Sequence, residues 1–315
     1  PQRQQRQRQH QSEPVPRGRA QGFRCLVPAL VQAALAAVSE AAAAAARTRG
    51  VPLGVLTFEP HPRNVLTSDG PPFRLTDWRG KARGLETLGV DFMAISKFDR
   101  DLAALSAEDF ILTVLIDGLG VSHVAVGEDF QFGKQRAGNT AFLLEAGKRH
   151  GFDVTSVPAM AGPDGLVFSS SAIRAALAKG DVCRANELLG RAWEIEGIVT
   201  HGDKRGRTIG FPTMNIYLGE LTRPALGVYA IKAQVEDKGS WLLGVANLGI
   251  RPTVGGEDER LEVHLFDFDQ DVYDKPARVR LLKFIRPEKK FESFEALKEQ
   301  IVQDAIAART YLETR

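Results

Sequence analysis

The spacing of apolar residues changes period once along this chain, near residue 190, and a chain with two periods needs two kinds of core. Upstream, short apolar runs at 51–58 (VPLGVLTF), 91–98 (DFMAISKF), 121–127 (VSHVAVG) and 152–160 (FDVTSVPAM) alternate with helical spacing at 76–88, 106–119 and 139–150. The later two helices open on Ser106 and on Asn139 or Thr140, residue types that cap a helix N-terminus. Strand and helix in alternation predict a doubly wound parallel sheet with helices on both faces and ligands beyond the carboxyl ends of the strands. Downstream the period is two: 193–200 (WEIEGIVT), 227–235, 241–249, 261–268 and 277–285 read as strands joined by Gly- and Pro-bearing turns. Only 294–312 returns to helical spacing, which predicts a small antiparallel Greek-key barrel closed by a C-terminal helix. The fold class is therefore α/β plus β. At 315 residues the chain is long enough for two such domains, divided as 23–182 and 183–315 by a short helix near Asp181–Arg191.

Charge narrows the partners. The balance of 41 Lys+Arg against 39 Asp+Glu gives no overall field for nucleic acid or an anionic membrane, so neither is expected as a partner and anion recognition must be local. Cys25 and Cys183 form no disulfide or metal-ligand pattern, which fits a reducing cytoplasm. Residues 1–22, rich in Gln, Arg and Pro, read as a disordered tail. The stretch from Cys25 to Val38 superficially copies a secretory signal, but Pro28, Gln32, Ser39 and Glu40 interrupt it. It reads instead as an Ala-rich helix running on through Ala41–Ala46.

The segment 202–215 (GDKRGRTIGFPTMN) carries the chemistry. Gly202, Gly206 and Gly210 permit close backbone approach, and Lys204, Arg205 and Arg207 beside Asp203 supply cationic donors for a phosphate tail. Phe211 and Pro212 fix the exit. Thr213 and Asn215, two residues apart on a strand, present a hydroxyl and an amide oxygen on one face, which suits a Mg²⁺ that keeps water and phosphate ligands. By itself, a Gly- and Arg-rich loop is more often a solvated basic hairpin. Phosphoryl transfer also needs a base, and Glu262 in LEVHLFDF shares a strand face with His264 and Phe266.

The whole string resembles the riboflavin kinase signature G-D-x-R-G-R-x-x-G-F-P-T-A-N, with Met214 as the departure. That resemblance implies ATP as co-substrate, Mg²⁺ as cofactor, riboflavin as acceptor, FMN as product and Glu262 as the base that takes the proton of the ribityl 5′-hydroxyl. His264 is assigned a structural role. Similarity extends to 246–256 (ANLGIRPTVGG) and 284–293 (FIRPEKKFES), which implies flavin contacts for Asn247, Arg286 and Glu288.

The upstream half resembles the FAD synthetase module of bacterial bifunctional enzymes through 57–63 (TFEPHPR), 127–138 (GEDFQFGKQRAG) and 168–174 (FSSSAIR). The resemblance implies nucleotide and flavin contacts from Phe58, Pro60, His61, Asp129, Phe130, Ser169, Ser170, Ser171 and Arg174. Members of that group carry G-N-F-D-G-V-H-x-G-H-Q after the first strand. Here the equivalent stretch is Gly22–Gln32 (GFRCLVPALVQ), with Pro28 and Val31 where the histidines stand. The expectation is a riboflavin kinase within a bifunctional architecture, with FMN adenylyltransferase activity impaired: either the first half serves the kinase as a structural or FMN-binding partner, or residues 1–50 are an altered reading in which the first strand and the histidine motif are lost, which would leave an exposed edge or groove in the sheet. A flavin- or nucleotide-binding sensor without catalysis is the other reading.

Overall fold

The computed structural model describes residues 24–28, 32–67, 70–159, 169–201, 211–236, 239–253 and 256–314. The tail at 1–22 and the segment 202–210 lie outside them. In chain order the first half comprises β1 (Arg24–Pro28), α1 (Gln32–Arg49), β2 (Leu53–Glu59), α2 (Pro62–Leu66), α3 (Trp78–Glu86), β3 (Phe92–Lys97), α4 (Arg100–Ala104) and α5 (Ala107–Phe110). A π-helical stretch, Ile111–Gly118, continues α5, followed by β4 (Val121–Gly127), the short hairpin β5 (Gln131–Phe132) and β6 (Gly138–Asn139), α6 (Thr140–His150) and β7 (Asp153–Val157).

Five parallel strands form a sheet in the order β3-β2-β1-β4-β7. Alternate residues on each strand feed opposite layers. Leu56, Val124 and Val126 pack with Phe110, Ile111 and Leu143 on one face, whereas Leu53, Val55 and Ala125 pack with Val38, Ala42 and Leu85 on the other. The sheet is thus doubly wound, as the alternation of elements requires. Ser106 and Asn139 cap their helices, their side chains accepting from Asp109 N–H at 3.0 Å and Phe142 N–H at 2.9 Å.

One expectation is overturned. Residues 25–28 are not helical: β1 fills the centre of the sheet, with Val27 opposite Val55 and Leu26 opposite Val124. The first strand is present and the sheet has no gap there. A five-residue central strand is covered on both faces, so it lacks the alternation that marks a strand, and the Ala-rich run behind it masks its end.

The second half begins with α7 (Ser170–Ala178) and α8 (Val182–Leu189), then β8 (Trp193–Ile198), β9 (Met214–Tyr217), β10 (Gly227–Val235), β11 (Leu242–Thr253), β12 (Gly256–Leu265), β13 (Pro276–Pro287) and α9 (Phe294–Glu313). Six antiparallel strands run β8-β13-β10-β11-β12-β9, and a bridge between Thr200 and Asn215 brings the two edges together. The meander β10-β11-β12 with β9 returning beside β12 is a Greek key. The barrel interior is filled: Ile195, Ile216, Tyr229, Ile231, Leu248, Leu261 and Leu281 are fully buried, each aliphatic worth about 2 kcal/mol. Ile173 and Leu177 of α7 and Val182 and Leu188 of α8 join the same core.

Helix α9 covers part of the barrel's outer face, Ala308 and Leu312 meeting Val228, Ala230, Val245 and Phe266. One turn above Ala308, Asp304 is buried and takes a two-point grip from Arg286, Nε to Oδ1 at 2.8 Å and Nη2 to Oδ2 at 2.7 Å. Gln300 adds a donor at 3.0 Å. Asp304→Ala leaves the guanidinium without its partner and is expected to cost about 3 kcal/mol of stability, read as a lower urea midpoint with an unchanged slope.

The two halves meet through the segment 71–77. Arg74 forms a parallel bridge with Leu221, donating its N–H to Glu220 O at 3.2 Å while its own carbonyl accepts from Thr222 N–H at 2.7 Å. Trp193 Nε1 donates to Leu75 O at 2.7 Å, Arg191 donates to Thr76 Oγ1 at 3.1 Å, and Arg83 pairs with Glu196.

Candidate active site

The barrel site is set by strand register. Glu262 on β12 lies directly opposite Asn215 on β9 and Asn247 on β11. Opposed residues on neighbouring strands project to the same side, so the three form one row across three strands. That side is the outer one: Leu261, Val263 and Leu265 point into the core, and so do Met214, Ile216, Ala246 and Leu248 on the partner strands. The row continues through Val228 on β10 to Arg286 on β13. The carboxylate, the two amides and the guanidinium thus share the face that α9 partly covers.

Each group has a defined setting. Asn215 is buried at 2 % exposure, and its backbone carbonyl accepts from Thr200 N–H at 2.9 Å, which ties β9 to the end of β8. Glu262 is half-buried, with Arg260 Nε 3.5 Å from Oε1. Arg260 sits two residues earlier on the same face and is itself buried, so it compensates the carboxylate from the protein side. Asn247 and Glu288 converge over Gly249, where an added Cβ would lie 2.7 Å from Glu288 Oε1 and 3.1 Å from Asn247 Nδ2. Gly249 leaves the space in which those two side chains stand. Arg286 is engaged with Asp304 and with Pro287 O at 2.9 Å, so its first task is to fasten α9.

The segment that carries Gly202, Asp203, Lys204, Arg205, Gly206, Arg207 and Gly210 lies outside the described residues, but both of its ends are anchored. His201 stacks on Tyr273 with ring centroids 3.9 Å apart, and Phe211 packs on His264 at 4.8 Å. Thr213 stands one residue before β9. Beside it opens a cleft of about 250 Å³ lined by Met214, Val263, Leu265, Phe268, Val272 and Tyr273, with Asp269 and Gln270 at its polar side. The slot is apolar along most of its wall and opens beside Pro212 and Thr213.

Two site features escaped sequence reading. Arg260 follows the same period-two rule that singled out Glu262. Asp304 lies at i, i+4, i+8 with Ala308 and Leu312, and an acid within an apolar stripe is a signal in itself.

In the first half, β2 delivers Phe58, Pro60 and His61 to the carboxyl edge of the sheet, and β4 delivers Asp129 and Phe130 to the same edge. Phe58 packs against Phe98 and Phe110, and Phe130 stacks on Phe132 at 5.4 Å, so both rings belong largely to the core. Pro60 follows a cis peptide bond. Asp129 is exposed. His61 caps α2, its Nδ1 accepting from Arg63 N–H at 3.1 Å, and its ring meets Phe73 edge-on at 4.6 Å. Arg63 and Arg174 lie over the same Phe73 ring at 4.5 and 5.1 Å, and Arg174 Nε donates to Phe73 O at 2.7 Å. Ser169 caps α7 through Ala172 N–H at 3.1 Å, with Ser170 and Ser171 in the first turn. His61, Phe73, Arg174 and the start of α7 therefore come together.

Burial, then the cations of Lys81, Arg74 and Arg174, push the His61 pKa down to about 4. A cluster of cations around a neutral imidazole suits an anionic ligand. The strand order reverses between β1 and β4, the crevice where such sheets bind ligands. Pro28 ends β1 there, Val31 falls in the undescribed residues 29–31, and α1 starts at Gln32.

Together, a doubly wound sheet and a Greek-key barrel with a carboxylate and two amides in one row define a two-domain nucleotide-dependent transferase. Comparison with known proteins makes this specific. Residues 189–312 match the family model described as riboflavin kinase, and residues 36–172 match that of FAD synthetase. The bifunctional riboflavin kinase/FMN adenylyltransferase of Escherichia coli (strain K12) is 44 % identical over 266 residues, 84 % of each chain. That of Bacillus subtilis (strain 168) is 42 % identical over 273 residues, again 84 % of each. A solved structure described as a macrolide-efflux protein from Streptococcus pneumoniae superposes with a TM-score of 0.80 at 29 % identity, over 91 % of this chain and 94 % of that one. Among the described residues no helix is long and apolar enough to cross a membrane. The chain belongs to the bifunctional riboflavin kinase/FMN adenylyltransferase family.

The His61 setting has a measurable consequence. Its folded pKa lies below the unfolded value of 6.5, so as pH falls the unfolded chain binds a proton first. The residue's contribution is neutral above that value, and stability drains away between pH 6.5 and about 4. His61→Asn keeps the cap acceptor and removes the titration, so its thermal midpoint is expected to fall less steeply than the wild type's across that window.

Proposed function

We propose that the barrel half transfers the γ-phosphoryl group of ATP to the ribityl 5′-hydroxyl of riboflavin, giving FMN and ADP, with Glu262 as the base. The row Asn215–Glu262–Asn247 carries this reading, because it sets a carboxylate between the end of the phosphate segment and the amide that faces the flavin side. The hydroxyl oxygen attacks the γ-phosphorus as its proton passes to Glu262, and the bond to the bridging oxygen breaks to release ADP. Gly202, Asp203, Lys204, Arg205, Gly206, Arg207 and Gly210 cradle the phosphates, and the apolar cleft beside Thr213 receives the adenine. Asn247 and Glu288, converging over Gly249, orient the isoalloxazine, and Arg286 holds that edge of the site to α9.

Thr213 and Asn215 suit a Mg²⁺ ion shared with phosphate. Among the described residues no group of three or more His, Cys, Asp or Glu side chains could hold a metal unaided, and a hydroxyl with an amide oxygen fits a hard ion that keeps water and phosphate oxygens. When bound, such an ion neutralises the charge on the phosphates. The balanced charge and sparse cysteines support a cytoplasmic setting.

We infer further that adenylyl transfer to FMN is weak. The sheet, the His61 cluster and the cap at Ser169 support retained nucleotide or flavin binding. In sequence, however, the apolar Pro28 and Val31 stand where the family motif has histidine donors, and the FAD synthetase match begins only at residue 36. Loss of a donor aimed at developing charge costs ~10²–10³ in rate.

Purified protein with ATP, Mg²⁺ and riboflavin is expected to form FMN, followed by chromatography; an inactive wild type would remove the kinase assignment. Glu262→Gln is expected to lower kcat by ~10²–10⁴ while flavin fluorescence still reports binding, and undiminished turnover would take the base role from Glu262. Given FMN and ATP, the same preparation is expected to make FAD at least ~10²-fold more slowly than it makes FMN. Comparable rates would mean that Pro28 and Val31 are harmless.

A further inference from the structure

We propose that His264 is a positioning residue for phosphoryl transfer: its imidazole fastens the exit of the phosphate segment to the strand that carries Glu262. Its Nδ1 lies 3.0 Å from Pro212 O. A carbonyl can only accept, so Nδ1 carries the proton and donates. On the same ring, Phe211 packs at 4.8 Å with the planes 60° apart. Two consecutive residues, one through its backbone and one through its side chain, are thus held by a single imidazole.

The next residue is Thr213, and β9 begins at Met214. The pairing of β9 with β12 covers Met214 to Tyr217 only, with Val263 opposite Met214, so ladder hydrogen bonds stop one residue short of Thr213. His264 lies just past that last pair and carries the connection between the strands on to Pro212. The tie thereby reaches the residue next to Thr213. Nor is the ring free to swing away, since Phe266 meets its far side at 6.0 Å and is buried beneath Arg309, whose guanidinium stands 4.5 Å from that ring. Arg309 is itself fixed by a two-point grip on Asp267, at 2.9 and 3.2 Å. Helix α9, through Arg309 and Phe266, therefore backs the imidazole that sets the loop exit.

The inference rests on the barrel being the kinase site. Three variants test it. His264→Leu removes both donor and ring, His264→Phe keeps the ring contact without the donor, and His264→Asn offers an amide N–H close to the place of Nδ1. The Leu and Phe variants are expected to raise KM for ATP and lower kcat, together roughly 10-fold in kcat/KM, the scale of one oriented hydrogen bond. Riboflavin affinity, read from quenching of flavin fluorescence, is expected to stay within about 2-fold, because the flavin side of the row lies on β11 and β13. The Asn variant is expected to recover most of the loss. Wild-type kinetics in the Leu or Phe variant would overturn the role, and so would an Asn variant as impaired as they are. Should the Leu variant fail to fold, the Phe and Asn pair decides. A wild type that makes no FMN would sink the kinase reading itself, whereas an active wild type with unimpaired variants would sink only His264.

Discussion

Strand β12 has two faces, and the burial of one dictates the chemistry of the other. Leu261, Val263 and Leu265 are each at most 5 % exposed inside the barrel. Moving the strand by one residue would turn all three to solvent, at about 2 kcal/mol each, and press Glu262 and His264 into a closed apolar core. Register is therefore fixed by the core. Once it is fixed, Glu262, His264 and Phe266 must stand in sequence on the outside, where the first meets Asn215 and Asn247, the second the loop exit and the third α9. The carboxylate, the loop contact and the helix seat are spaced by the pleat of one strand.

This explains which parts of the molecule were legible in the sequence. Period-two spacing gave the outer face of β12, and the change of period near residue 190 gave both architectures. What spacing along one strand cannot give is the partner across the ladder. Asn215, Glu262 and Asn247 are neighbours only because β9 and β11 pair with β12 in one particular register, and that depends on the whole barrel closing. Arg260 and Asp304 were missed for a related reason, since each is defined by what it grips, Glu262 in one case and Arg286 in the other. The strand at 25–28, expected as helix, has a different origin. A central strand of a parallel sheet carries no alternation, and five residues ahead of an Ala-rich helix give propensity little to act on.

Between the halves, the segment 71–77 does more than connect. Trp193 is fully buried at the head of the barrel, yet its indole N–H is satisfied by Leu75 O from the first half. Pulling the halves apart would strand that donor in an apolar core, at the cost of an unsatisfied buried group. The same short segment supplies Phe73, whose ring is shared by His61, Arg63 and Arg174, and Arg74, which joins Glu59 to Glu220. Arg174 in turn sits on α7, whose Ile173 and Leu177 belong to the barrel core. The cationic cluster of the first half is thus assembled from elements that the second half holds in place.

A chain built this way can lose one activity and keep the other, and the reason is where each depends on the fold. The kinase row is distributed over strand register, which the barrel core enforces whatever happens at the sheet. The proposal that adenylyl transfer is weak turns on Pro28 and Val31, at and just after the end of β1. Substituting apolar residues there leaves β1 in the centre of the sheet, the helices on both faces and the docking segment at 71–77 intact. Under that proposal structure is retained because its energy comes from the layers, and the chemistry weakens because its charge stabilisation depends on a few donors. On this reading the first half persists as the scaffold against which the kinase barrel is docked.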